Sequence, residues 1–336
     1  MKLKEIELTN FRNYTKRKFQ LTNKTVVIGG NGIGKTNLVE AIYMLATGKS
    51  FRADTDYELV KYESEFFTVM GQIGEIGEIG VIWTEGKKKF LVNGVPRRMM
   101  DFTGKLKAVM FGPADLELVT GSPSVRRRYL DFVISQKDRE YRRCLVSYEK
   151  GLRQRNKLLD LIRDGVATRQ QLFFWDKLLI KNGEYITDKR GDFLGRFNRT
   201  DKTHEAYRTN YDKSVISEAR LAQYEAEEVA AGSTLVGPHR DDFVVLFSDK
   251  DVSKYGSRGE QRMAVLALKI WERDYLSDQE LPVLLLDDIY SELDHRHRKI
   301  VLKLIDDQVK RGGQVIMTTA DEHLTPKGGE WNIITL

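Results

Sequence analysis

The chain has 336 residues, 41% of them hydrophobic and 31% charged, with a formal net charge of +6. That is ordinary for a globular chain long enough for two domains, and no apolar run reaches membrane-spanning length. The start, Met1-Lys2-Leu3-Lys4-Glu5-Ile6, does not read as a signal peptide, and a single cysteine, Cys144, excludes an internal disulfide and a cysteine-rich zinc site. A reducing, cytoplasmic compartment with no membrane partner is the expectation.

From Leu3 to Leu21 apolar and polar residues alternate around Asn10-Phe11-Arg12-Asn13-Tyr14, which predicts two strands and a turn. Thr25-Val26-Val27-Ile28 reads as a short buried strand, and Asn37 to Ala46 as a helix with Gly48 as its C-cap. Between them stands Gly29-Gly30-Asn31-Gly32-Ile33-Gly34-Lys35-Thr36, which fits the phosphate-cradling pattern G-x4-G-K-[ST]. Its glycines let backbone N–H groups turn inward as an anion nest, Lys35 supplies a point charge for the β/γ-phosphates, and Thr36 a hard oxygen for Mg²⁺. The expected ligands are therefore ATP and Mg²⁺.

Three more strands are predicted at Phe66–Gln72, Ile79–Thr84 and Phe90–Val92, with Asn93-Gly94 as a turn, forming an antiparallel β-subdomain. Lys107–Phe111 reads as another strand. Ser122 before Pro123 marks a helix start, and the sequence then reads as helical to about Ala231, broken at Gly151, Gly165, Gly183, Gly191 and Gly195. Charge is uneven here. Ser124 to Lys202 holds 20 Lys/Arg against 11 Asp/Glu, a net +9 that leaves −3 for the rest. Such asymmetry points to a polyanion, with Arg126, Arg127, Arg128, Arg142 and Arg143 as candidates; a solvated helical surface is the plainer alternative.

After Gly237-Pro238-His239-Arg240-Asp241-Asp242, the strand Phe243–Phe247 is expected to return the chain to the core. Ser257-Arg258-Gly259-Glu260-Gln261-Arg262 opens a helix running through Trp271. Pro282 to Asp288 reads as a buried strand ending in two carboxylates, followed by a helix from about His295 to Lys310 and a strand at Gln314–Thr318. His295 and His297 read as solvated rather than metal ligands. The expected fold is α/β: a core lobe of 1–122 and 233–336 carrying the antiparallel subdomain, with a helical lobe of 123–232 inserted.

Asp287 at the strand end is placed to hold Mg²⁺ together with Thr36, and Asp288 to polarise an attacking water. That pair marks the ABC-type ATPases. Ser257, Gly259 and Glu260 resemble the ABC signature, a serine hydroxyl and a glycine N–H at a helix N-terminus. One nucleotide needs one P-loop, so a second γ-phosphate site on the same chain implies two chains head to tail. Each ATP would lie between one P-loop and the other chain's signature, with Ser291-Glu292-Leu293-Asp294 running across the interface.

Taken together, these motifs resemble the RecF family, bacterial recombination-mediator ATPases of the SMC-like branch of the ABC class. Asn10–Tyr14, the P-loop, Gly48-Lys49-Ser50-Phe51-Arg52, Gly121-Ser122-Pro123 with Arg126–Arg128, Leu235 to Asp242, the signature and Leu284–Asp294 carry the resemblance. It implies an ABC-type head with an inserted helical lobe, and Arg12 and Asn13 beside the same chain's nucleotide. It also implies a homodimer formed with ATP, binding to double-stranded or gapped DNA, weak DNA-stimulated ATPase activity used as a switch, and work with RecO and RecR to load RecA. Glu260 departs from the family's usual glutamine, and the helical lobe is shorter than in most relatives. A transporter module would show a Q-loop glutamine and a switch histidine, where this chain has Phe111-Gly112-Pro113 and Thr318-Thr319. A nucleotide-gated protein scaffold without a specific DNA role is the remaining alternative.

Overall fold

Val26, Val27 and Ile28 are all buried, so both faces of their strand are covered by other layers. The computed structural model describes residues 2–199, 207–278, 280–289, 295–320 and 331–336. In chain order its main elements are β1 (Leu3–Phe11), β2 (Tyr14–Gln20), β3 (Lys24–Ile28), α1 (Lys35–Thr47), β4 (Phe66–Ile73), β5 (Gly77–Thr84), β6 (Lys87–Val92), β7 (Val95–Arg97) and β8 (Ala108–Phe111). There follow α2 (Pro123–Lys137), α3 (Arg139–Arg163), α4 (Phe173–Arg199), β9 (Tyr207–Asp212), β10 (Asp242–Phe247), β11 (Lys250–Asp251) and α5 (Arg258–Leu276). The chain closes with β12 (Val283–Asp287), α6 (His295–Lys310), β13 (Val315–Thr319) and β14 (Asn332–Thr335).

Two compact units result: Met1–Asp115 with Leu268–Leu336, and Leu116–Ala267. In the first, an antiparallel sheet of order β2-β1-β4-β5-β6-β7 and a parallel sheet of order β14-β3-β13-β12-β8 share one core. Helix α1 lies in that core, with Leu38, Val39, Ile42, Met44 and Leu45 all fully buried. A helix buried on every side has to be enclosed, and packing against both sheets encloses it. Gly71 of β4 makes this approach possible: a Cβ there would stand 2.6 Å from Leu45 Cδ1. The two sheets are also stitched by one side chain. Leu3 N–H donates to Gln314 Oε1 at 2.9 Å, and Gln314 Nε2 donates to the Leu3 carbonyl at 2.7 Å.

The second unit is helical with a small sheet of its own, order β11-β10-β9. Here the structure corrects the sequence reading in three ways. First, Phe243–Phe247 does not return to the parallel core. It pairs antiparallel with β9, a strand inside the stretch read as helical, and the segment after residue 232 therefore stays with this unit up to Ala267. Second, Gly151, Gly183, Gly191 and Gly195 break nothing and lie within α3 and α4. Gly151 is a packing residue, since a Cβ there would meet Leu178 Cδ2 of α4 at 2.6 Å; Gly183 likewise faces Ile216 and Pro238. Only Gly165, with φ +73°, follows a helix end. Third, α6 and β13 do not close the fold, because β14 adds beside β3.

Candidate nucleotide-binding site

The loop between β3 and α1 is held open by backbone that only glycine adopts comfortably. Gly32 and Gly34 have φ of +82° and +121°, and a Cβ on Gly34 would stand 2.8–2.9 Å from the Asn13 amide and the Tyr14 hydroxyl. Those two side chains clamp the rim: Asn13 Nδ2 donates to the Ile33 carbonyl at 2.8 Å, and Tyr14 Oη to the Gly34 carbonyl at 3.0 Å. They come from the β1–β2 turn, so the antiparallel sheet positions the loop. Lys35, buried at 7% exposure, donates through Nζ to the Gly29 and Gly30 carbonyls at 2.7 and 2.8 Å.

Across from the loop, Thr36 Oγ1 and Thr318 Oγ1 both donate to Asp287 Oδ1, at 3.2 and 2.7 Å. The Asp288 N–H donates to Thr318 Oγ1 at 3.0 Å, and Asp288 itself takes a left-handed backbone, φ +46°, at the strand end. Asp287 has no ion pair within 4 Å among the described residues. Burial raises its carboxyl above the ordinary aspartate range and the charge on Asp288 adds to this, while the two hydroxyls and the more distant Arg52 only partly offset it. A buried carboxylate with hydroxyl donors on one oxygen and no ion pair among the described residues matches the donor set of a hard divalent cation, with Thr36 as the second oxygen. The residues present fit Mg²⁺ and a phosphate chain.

The supporting shell centres on Glu40, which the sequence reading missed. Fully buried on α1, its carboxylate accepts from Arg12 Nε and Nη2 at 2.9 and 2.8 Å, from Arg52 at 3.1 Å and from the Ser50 hydroxyl. Arg52 also reaches Asn37, whose amide donates to Asn13. Two motifs distant in sequence, Asn10–Tyr14 and Gly48–Arg52, thus meet on one acid. Arg12, proposed beside the nucleotide, is spent on Glu40 and on the Glu58 carbonyl. A charged residue amid the apolar run Leu38–Leu45 was the available signal.

In the second unit, Ser257 caps α5, which opens with Arg258 and Gly259. The Glu260 carboxylate accepts from the Ser257 N–H and hydroxyl at 2.7 and 2.8 Å, while the Glu260 N–H donates back to Ser257 Oγ at 3.3 Å. This is a reciprocal capping box, and the two bonds that Glu260 accepts hold its carboxyl below the usual range. Ser291-Glu292-Leu293-Asp294 and the His295 and His297 side chains lie outside the described residues.

The arginine candidates divide. Arg126 is withdrawn as a surface cation: at 8% exposure it forks onto Asp242 at 2.6 and 2.8 Å and caps the Gly121 carbonyl. Arg127 donates to the Asp241 carbonyl at 2.8 Å, and Arg142, half-buried, to the Ser135 carbonyl. Arg143 is exposed but paired with Glu140 at 2.6 Å; Arg128 is exposed. The Gly237–Asp242 motif is mostly interior, with Arg240 alone exposed. Asp241, fully buried, accepts from Arg190 at 3.0 Å, from the Tyr211 hydroxyl and from the Ser214 N–H at 2.7 Å. His239 bridges the Tyr148 hydroxyl and the Thr234 carbonyl at 2.8 and 3.0 Å, and burial pushes its pKa down to about 4.

Fold and site define a class: residues 2–335 match the family described as the RecF/RecN/SMC N terminal domain, a P-loop ATPase head. Within it, the "DNA replication and repair protein RecF" of Halalkalibacterium halodurans is 37% identical, covering 96% of this chain and 93% of that one. The protein of the same name from Ligilactobacillus salivarius is 36% identical over 95% and 91%. The solved "recombination mediator protein RecF-ATPrS in RecFOR pathway" superposes with a TM-score of 0.88 at 33% identity, covering 99% and 96%. The chain belongs to the RecF family.

Proposed function

We propose that the chain is an ATP-dependent switch in recombinational DNA repair and replication. It would close as a head-to-tail homodimer on duplex or gapped DNA, act with RecO and RecR to load RecA, and hydrolyse ATP slowly. Its relatives' names, and a solved relative described as RecF-ATP, support the nucleotide and the repair context. The carrying observation is Asp287, buried with no ion pair within 4 Å among the described residues and joined to Thr36 and Thr318 opposite the glycine loop.

The backbone N–H groups of Gly30–Gly34 would receive the phosphates, Lys35 exchanging the Gly29 and Gly30 carbonyls for phosphate oxygens. Thr36 and Asp287 would hold Mg²⁺, which when bound neutralises charge on the β- and γ-phosphate oxygens. Asp288 would orient and polarise the attacking water. Ser257 and Gly259 would offer a second phosphate seat to a partner chain, with Glu260 releasing the serine hydroxyl. The DNA surface falls to exposed cations of the second unit, Arg128 among them.

Nucleotide binding and turnover separate these roles. Lys35→Ala should abolish ATP binding, whereas Asp288→Asn should keep it and lower turnover about 10²–10³-fold. Normal turnover in Asp288→Asn removes it from the catalytic role. Ser257→Arg should retain ATP binding and lose the ATP-induced dimer in sedimentation; a dimer that persists counts against the head-to-tail arrangement. For DNA, Arg128→Glu should weaken duplex binding and flatten the log–log salt slope by ~0.9 for each phosphate it no longer neutralises. Binding equal to the parent at every salt concentration would place the surface elsewhere.

A further inference from the structure

The second unit carries an open groove of about 470 Å³ between α3 and α4 that neither nucleotide binding nor its own core uses. Phe173, Phe174, Lys177, Leu178, Lys181 and Asn182 of α4 line one side, and Arg143 and Ser147 of α3 the other. Phe173 and Phe174 are each 63% exposed, unusual for adjacent phenyl rings on a helix. Exposed apolar surface rimmed by polar groups is the mark of an interaction site rather than of a solvated face.

The chemistry of the lining narrows the occupant. Phe174 and Leu178 form an apolar stripe at i, i+4 spacing, and Lys177 and Lys181 form a cationic stripe beside it at the same spacing. Neither lysine has a carboxylate within 4 Å among the described residues. Arg143 adds a third cation at the opposite wall, though Glu140 holds it. On the floor, Asn182 is 4% exposed; its Nδ2 donates to the Leu178 carbonyl at 2.8 Å, while its Oδ1 has no hydrogen-bond partner.

We propose that this groove docks a short acidic peptide segment of a partner protein, with an apolar or aromatic anchor against Phe174 and Leu178. Its carboxylates meet Lys177 and Lys181. Single-stranded nucleic acid is the competing occupant, since bases stack on aromatic rings and lysines meet phosphates. Two observations favour the peptide. Lys177 Nζ already covers one face of the Phe173 ring at 4.2 Å from its centroid, and Phe174 is turned edge-on to Trp175 at 4.9 Å, so neither ring is a clear stacking platform.

The test uses the full chain and a fluorescein-labelled Glu-Glu-Leu-Trp-Glu-Glu peptide, read by anisotropy, beside a Lys-Lys-Leu-Trp-Lys-Lys peptide, a Glu-Glu-Ala-Ala-Glu-Glu peptide and an oligothymidylate. Only the first peptide should bind through the groove. Lys181→Glu and Phe174→Ala, both on an exposed face, should each weaken it about tenfold with ATP binding and melting temperature unchanged. No binding by the acidic peptide near millimolar concentration overturns the proposal. So does oligothymidylate binding that falls in both variants while peptide binding does not, an outcome that assigns the groove to nucleic acid.

Discussion

Asp287 and Asp241 are both buried carboxylates that accept hydroxyl hydrogen bonds, yet they stand in opposite electrical surroundings. Asp241 has the Arg190 guanidinium at 3.0 Å, the Tyr211 hydroxyl and a backbone N–H, so its charge is matched within the fold. Asp287 has two threonine hydroxyls on one oxygen and a second carboxylate nearby, and its pKa is raised. Folding alone gives no reason to bury a carboxylate that way. One aspartate completes a structure; the other is matched by no ion pair among the described residues, and that asymmetry separates the proposed site from the core more sharply than burial does.

If the contrast is right, the two aspartates respond oppositely to neutralisation. Asp241→Ala leaves the buried Arg190 with Asp131, at 2.7 Å, as its one remaining carboxylate partner and strands the Tyr211 hydroxyl and the Ser214 N–H, so the second unit should lose about 3–5 kcal/mol in urea unfolding. A loss below about 1 kcal/mol would mean that the network is ornamental. The neighbouring His239 gives a pH handle on the same region. Its folded pKa of about 4 lies below the ordinary value of 6.5, so between these limits the unfolded chain binds more protons. Stability should be complete above about pH 6.5 and fall by up to about 3 kcal/mol as pH drops to 4. His239→Gln should flatten that profile, and an unchanged profile would place the acid-sensitive group elsewhere.

The smallest effect is the most discriminating. The folded pKa of Asp287 lies above its unfolded value, so stability declines as pH rises through that window and is lowest where the carboxylate is charged. Asp287→Asn should therefore stabilise the nucleotide-free protein near neutral pH, by about 1 kcal/mol, while weakening Mg²⁺-dependent ATP binding. If calorimetry shows the asparagine variant less stable than the parent, Asp287 is a structural acid like Asp241.

Legibility from sequence followed the range of the forces involved. The glycine loop, Lys35, Thr36 and the strand ending in Asp287 could be read because local backbone geometry and short-range periodicity fix them. Asn93-Gly94 was read for the same reason, and its residues take φ of +51° and +75°. Glu40 was not, because its partners Arg12, Ser50 and Arg52 become neighbours only after the antiparallel sheet and α1 pack. The glycines of α3 and α4 misled for a related reason: a residue that breaks an isolated helix is also the one that lets two helices approach closely. Arg126 was counted as surface charge because a charge tally cannot see Asp242, which lies far along the chain.

The side chain of Gln314 bonds both backbone groups of Leu3, and β13 pairs with β3, so the first sheet strands and the last are finished together. A nascent chain emerging from the ribosome therefore cannot build the phosphate loop's sheet when that loop appears. Residues 116–267 are contiguous and can collapse while the earlier segment is still waiting. The nucleotide site is written near the start of the sequence and assembled near the end of synthesis, which places its slow, long-range strand pairing last. ATP supplied during translation would find its seat only after the β12–β13 segment has arrived.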